Sequence, residues 1–189
     1  MAGRAEHLAG LLALGLLTGC AEDPVPKPRA YFRIDLPEQE YRSWQGDCYG
    51  AELPAYALPI PVKRGEQPCW TDLRFPGQRA TVHLTYQPVQ GRLRQLIEDA
   101  HGFKRQHEAK ALKIVSERML RDSARVYGTL FDVEGDVASP MVFYLTDSTD
   151  HFLYGALYFR CRPNADSLAP VTARLREDIR HFAGTLSWE

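Results

Sequence analysis

What this 189-residue chain lacks narrows it first. After its opening twenty residues no apolar run reaches membrane length, no block of like charge exceeds a few residues, and no internal repeat is apparent. Those absences argue against a polytopic membrane protein, a basic nucleic-acid binder and a repeat array. The charge balance agrees, with Lys+Arg 23 against Asp+Glu 24 and a formal net charge of −1. The common catalytic signatures are missing as well: there is no Gly-x-Ser-x-Gly, no phosphate-cradling Gly-rich loop and no His-Glu-x-x-His. Histidines do not gather: His101 and His107 share one predicted helix, while His83, His151 and His181 fall on separate elements. No metal or other cofactor is expected. The paired carboxylates Glu98-Asp99 and Glu177-Asp178 read as solvated helix faces, because adjacent helix residues do not face one another.

What is present begins at the N-terminus. Arg4, the apolar run Leu8 to Leu17 and Leu17-Thr18-Gly19-Cys20 supply the basic start, short apolar core and small residues of a secretory signal ending in a lipobox. The run is about half the ~20 residues that a spanning helix needs. Residues 1–19 are therefore expected to be a lipoprotein signal peptide, with Cys20 the lipidated N-terminus of the mature chain. Residues 20–29 follow as a tether: Pro24, Pro26 and Pro28 at every second position favour polyproline II, which at ~3.1 Å per residue spans roughly 25–30 Å. Residues 30–189 are expected to form a single globular domain.

Cysteine is scarce, and three remain after Cys20. An exported chain sits where disulfides persist, so one pair and one spare is the economical reading. Cys48 with Cys69 is favoured, because both lie in a Pro- and Gly-rich stretch without clear strand or helix periodicity that a bridge would staple, for roughly 3 kcal/mol. The alternative is three unpaired thiols. Cys161, after a strongly apolar strand, reads as a buried small hydrophobe.

Periodicity supplies the elements. Tyr31-Phe32-Arg33-Ile34-Asp35-Leu36 alternates and reads as an edge strand stopped by Pro37; Ala80 to Tyr86 alternates as a half-buried strand. Leu93, Leu96, Ile97 and Ala100 give a helix from about Arg92 to Ala109. Residues 112–120 suit strand or helix, and the break Arg121-Asp122-Ser123-Ala124 before Val126 to Val133 favours a hairpin. Met141 to Thr146 and Phe152 to Phe159 are near-continuous apolar strands that should sit at the centre of the sheet. A last helix carries the stripe Leu168, Val171, Leu175, Ile179, Phe182, Leu186, with Asp166 or Ser167 as cap and Pro170 in its first turn. The order describes an α+β domain, an antiparallel sheet of five or six strands covered by helices, similar to the PsbP and Mog1 type of sandwich.

Two polar and aromatic segments are candidate binding surfaces: Arg29, Tyr31, Phe32, Arg33 and Asp35 where the tether meets the sheet, and Thr146, Asp147, Ser148, Asp150 and His151 between two apolar strands. The second gathers hydrolase residue types, but a triad needs side chains converging from separated segments. A turn is the better reading, with an envelope enzyme such as a cell-wall hydrolase, or a ligand carrier, as the rivals.

Ordered blocks over nearly the whole mature chain then resemble the GldD family of gliding-motility lipoproteins: Pro26-Lys27-Pro28-Arg29-Ala30-Tyr31-Phe32-Arg33-Ile34-Asp35-Leu36-Pro37 past the lipobox, Cys69-Trp70, Phe75-Pro76, Ala80 to Tyr86, Phe143 to Thr149, Gly155 to Phe159, Pro163 to Val171 and Thr185-Leu186-Ser187-Trp188. Ala30 departs from the Gly expected there. The resemblance implies a Bacteroidota cell-envelope lipoprotein, lipid-anchored and expected at the outer membrane on its periplasmic face or surface. It further implies support of gliding and of type IX protein secretion as a non-enzymatic binding or assembly factor. Its partners would be other envelope proteins of that machinery, with no catalytic residues to carry over.

Overall fold

The computed structural model describes residues 35–62, 69–108 and 111–189, with the backbone alone at 103–108. Among the described residues ten strands and two α-helices follow one another: β1 (Tyr41–Gln45), β2 (Tyr49–Pro54), β3 (Leu58–Pro61), β4 (Thr71–Phe75), β5 (Ala80–Pro88), α1 (Leu93–Glu108), β6 (Lys113–Arg121), β7 (Val126–Glu134), β8 (Met141–Thr146), β9 (His151–Phe159), α2 (Ala165–Thr185) and β10 (Ser187–Trp188). They form an α+β fold. One sheet has seven strands in the order β3-β4-β5-β9-β8-β7-β6, and a second has three in the order β1-β2-β10. The strand pairings are antiparallel.

The large sheet thus exceeds the five or six strands expected, because β3, inside the Pro- and Gly-rich stretch read as a loop, and β4, just after it, both join the sheet, while β2 from the same stretch goes to the small one. Pro59 and Pro61 lie in β3, at the sheet edge, where a missing N–H leaves no ladder bond unmade on the open side. β2 shows little alternation because it is buried on both faces, with only Glu52 partly exposed. The strand read at Tyr31 to Leu36 lies mostly outside the described residues. Asp35 and Leu36 are in no strand, and Leu36 packs against the core.

Alternation of side chains gives the large sheet two buried faces. Met141, Phe143 and Leu145 of β8, with Leu153 and Leu157 of β9, join Val171, Leu175, Ile179 and Phe182 of α2 and Tyr49 and Leu53 of β2 in one core. Val142 and Tyr144 of β8, with Phe152 and Ala156 of β9, meet Leu96 and Ala100 of α1 in the other. Gly155 is required where β8 and β9 pair: a Cβ there would lie 2.1 Å from the ring of Phe143, its register partner.

Helix α2 starts earlier than its apolar stripe suggested. Asn164 is the N-cap, its side chain accepting from the N–H of Ser167 at 3.1 Å, so Pro170 falls inside the helix rather than in its first turn. Cys161 is an exposed free thiol, not a buried one, since the apolar strand before it ends at Phe159. The expected bridge between Cys48 and Cys69 is present.

Candidate functional site

The loop between β8 and β9 is organised by one carboxylate. Asp147 is only 5% exposed. Its Oδ1 accepts the backbone N–H groups of Thr149 (3.0 Å), Asp150 (2.8 Å) and His151 (2.8 Å), while its Oδ2 accepts the Thr149 hydroxyl at 2.7 Å. Burial pushes this carboxyl's pKa up. The N–H of His151, the hydroxyl and N–H of Thr149 and the N–H of Asp150 outweigh it and hold the group well below the usual carboxylate range. Thr146 closes the same loop, its hydroxyl donating to the His151 carbonyl at 2.6 Å and accepting the N–H of Ser148 at 3.0 Å. Ser148, at φ 73°, sits in the left-handed region.

A second turn meets this loop. Between β6 and β7 a short 3₁₀ segment, Asp122–Ala124, ends on Arg125 at φ 51°. The Arg125 guanidinium donates to the Thr149 hydroxyl at 2.8 Å and lies 3.5 Å from Asp147 Oδ2. The third contributor is β10. Trp188 donates its indole N–H to the Arg125 carbonyl at 3.1 Å and stacks on the His151 ring, with centroids 5.2 Å apart and planes 9° from parallel. At the ring edge His151 Nδ1 shares a 2.9 Å hydrogen bond with the Tyr86 hydroxyl, whose pKa is raised by burial and then by the charges of Asp147 and Asp150. The result is a solvent-open depression of about 420 Å³ lined by Arg125, Asp150, His151, Trp188 and Glu189 among others.

Chemically, this corner holds charge and aromatic surface in fixed positions. Asp147 contacts the main chain of His151, not its imidazole, so the Asp, Ser and His residues of the loop are not arranged as a triad. Of the residues expected here from sequence, Asp147 and Thr146 are spent on their own loop, and Asp150 and His151 line the depression. Arg125 and Trp188 were not foreseen as site residues. They come from the preceding hairpin and the end of the chain, and the only signals were a turn-like break and a late tryptophan. Of the tether-side candidates, Arg29, Tyr31, Phe32 and Arg33 lie outside the described residues, and Asp35 lies in the segment before β1. Among the described residues no group of three His, Cys, Asp or Glu side chains is placed to hold a metal ion.

A second buried carboxylate lies elsewhere. Asp178, read as part of a solvated helix face, is 1% exposed on α2. Burial raises its pKa although the hydroxyls of Tyr56 and Tyr41 donate to it, the latter at 2.9 Å. Tyr41 in turn is pushed up to about 12, by burial first and then by the Asp178 carboxylate. This cluster ties β1 and the β2–β3 connection to α2.

The fold and site together define an α+β domain whose charged and aromatic side chains gather in an open corner at one end of its main sheet. Residues 21–188 match the family model for gliding motility lipoprotein GldD, and the chain belongs to that family. No curated protein matches it. It is accordingly a gliding-motility-associated lipoprotein of the cell envelope, and among its described residues no helix is long and apolar enough to cross a membrane.

Proposed function

We propose that this lipoprotein acts as a non-enzymatic binding or assembly factor for gliding motility and the associated type IX protein secretion machinery, docking another envelope protein at the His151 corner. The reading includes removal of residues 1–19, acylation of Cys20, a tether over residues 20–29, a single globular domain over residues 30–189 and outer-membrane residence. The PsbP and Mog1 likeness belongs to the same proposal. So does a role for Arg29, Tyr31, Phe32, Arg33 and Asp35.

One observation carries it: the His151–Trp188 stack beside the exposed Arg125, over a loop whose carboxylate is consumed by internal hydrogen bonds. Exposed aromatic and arginine side chains on a fixed backbone are the usual anchors of protein interfaces, where truncating one costs ~2 kcal/mol or more of binding. Trp188→Ala and Arg125→Ala, expressed at normal abundance, should lose gliding and secretion. They should also lose a crosslinked partner that the unsubstituted protein retains in the native envelope. Undiminished gliding and crosslinking would move the interface to another face. A loss of turnover on cell-wall glycan or peptide would instead favour the enzyme reading.

A further inference from the structure

The opposite end of β9 carries a different surface. There β4 and β5 are joined by a 3₁₀ turn, Pro76–Gln78, ending on Arg79 at φ 50°, and the Arg79 guanidinium donates to the carbonyl of Arg160, just past β9. Arg79 and Arg160 line one shallow groove with Arg74, Leu58 and Ile60. Register extends it across the sheet, because Leu58 pairs with Arg74, Arg74 with Thr81 and Thr81 with Tyr158. Side chains in this row share one face. Leu58, Ile60 and Tyr158 are 46%, 36% and 37% exposed, three of the few large apolar side chains so open to solvent among the described residues. Among the described residues Asp72 is the neighbouring carboxylate. It is mostly covered and already held by His83 at 2.7 Å, with Arg74 at 3.6 Å. Three arginines among exposed Leu, Ile and Tyr thus stand at one end of a chain whose overall charge is −1.

We infer that this end of the sheet is a docking surface for an anionic phospholipid bilayer. Arginine forks pair with phosphate. Their aliphatic stems lie along apolar surface, and tyrosine favours the headgroup level. An acidic protein partner would be served by the arginines but leaves Leu58, Ile60 and Tyr158 unexplained. A bilayer uses both, and a lipoprotein is held beside one. The surface is independent of the His151 corner, roughly 27 Å away at ~3.4 Å per residue along β9.

Cys161, free, exposed and adjacent to Arg160, offers a native labelling site for the test. The full lipidated protein, carrying a fluorophore on Cys161, is reconstituted into vesicles of phosphatidylcholine alone or mixed with phosphatidylglycerol, each containing a lipid-borne quencher. Quenching should be strong only with phosphatidylglycerol and should vanish near 1 M salt, where the screening length is ~3 Å. The triple variant Arg74→Gln, Arg79→Gln, Arg160→Gln should weaken the contact equilibrium on the order of a hundred-fold, at about five-fold per arginine. A label on Ser123→Cys in a Cys161→Ser background should stay unquenched. Equal quenching in both lipids, quenching in neither, or equal quenching of the two labels overturns the inference. The second outcome is the one an acidic protein partner predicts. The salt titration of the unsubstituted protein decides the matter even if the triple variant fails to fold.

Discussion

Arg79 and Arg125 occupy the same backbone geometry in the same kind of turn, φ 50° and ψ 39° against φ 51° and ψ 46°, each closing a 3₁₀ segment between two strands of the large sheet. Their surroundings are opposite. Arg125 faces a carboxylate and a threonine hydroxyl, and its carbonyl receives the Trp188 indole, so side chains lock the turn to the neighbouring loop. Both turns close through the arginine N–H, Arg125 to Asp122 O and Arg79 to Pro76 O, but at Arg79 the further tie is also main-chain, Arg160 N–H to Arg79 O, and among the described residues the guanidinium donates to a carbonyl alone. One end of the sheet is therefore made rigid by spending its polar side chains internally. The other gets its shape mainly from main-chain bonds and leaves Arg74, Arg79 and Arg160 exposed to solvent. The same local conformation holds a charged and aromatic corner together in one place and displays exposed arginines in the other.

Removing the disulfide should separate the two ends most. Cys48 begins the segment that becomes β2, β2 pairs with β10, and Glu189 N–H donates to Cys48 O, so the bridge to Cys69 secures the strand that carries Trp188. Cys48→Ala with Cys69→Ala should cost about 3 kcal/mol in denaturant unfolding. Hydrogen exchange should accelerate at the Glu189 amide and remain slow at the Arg160 amide. Equal acceleration at both would mean that the ends are not independent.

Asp147→Ala comes next, at about 2–3 kcal/mol, because three N–H groups and a hydroxyl lose a buried acceptor. The sign of its pH dependence follows from the depressed carboxyl. A group whose folded pKa lies below its unfolded value stabilises fully above the ordinary carboxylate range, and loses that contribution as pH falls below about 4. The stability gap between the unsubstituted protein and Asp147→Ala should thus be widest near neutrality and narrow in acid. A gap independent of pH would show that the carboxylate's charge does not matter to the loop.

These two variants also show where sequence reasoning reaches its limit. β5 and α2 announce themselves through alternation or a three-to-four residue stripe, and β8 and β9 through near-continuous runs of large apolar and aromatic residues. β2 and β3 do not, because burial on both faces erases alternation and prolines at a free edge mimic a loop. The site was half legible. Asp147 to His151 is contiguous and its composition is visible, but the stacking partner and the guanidinium arrive from β10 and the β6–β7 turn through strand pairing that no local pattern encodes. Asp178 was missed for a related reason: it interrupts an apolar stripe, and its burial is made tolerable by Tyr41 and Tyr56 on other elements, with help from Arg174 and Gln39.

Trp188→Ala sharpens the comparison at the corner itself. Loss of a stacked, partly exposed ring should cost about 1 kcal/mol of stability, far too little to deplete the protein, while gliding should fail. Thermal unfolding beside a motility assay separates the two. If gliding falls only as far as abundance does, the ring is packing rather than an anchor.

Arg160→Gln should have the smallest effect on stability, and that is its use. The side chain is exposed, and the structural bonds at this position run through its N–H and carbonyl, which glutamine keeps. Surface substitutions of this kind fall within about ±0.5 kcal/mol. The unfolding midpoint should be unchanged within error, and the Arg79 and Arg160 amides should exchange as before. A drop comparable to that of Trp188→Ala would mean that the guanidinium is also bound into the fold, and that the two ends are built alike after all.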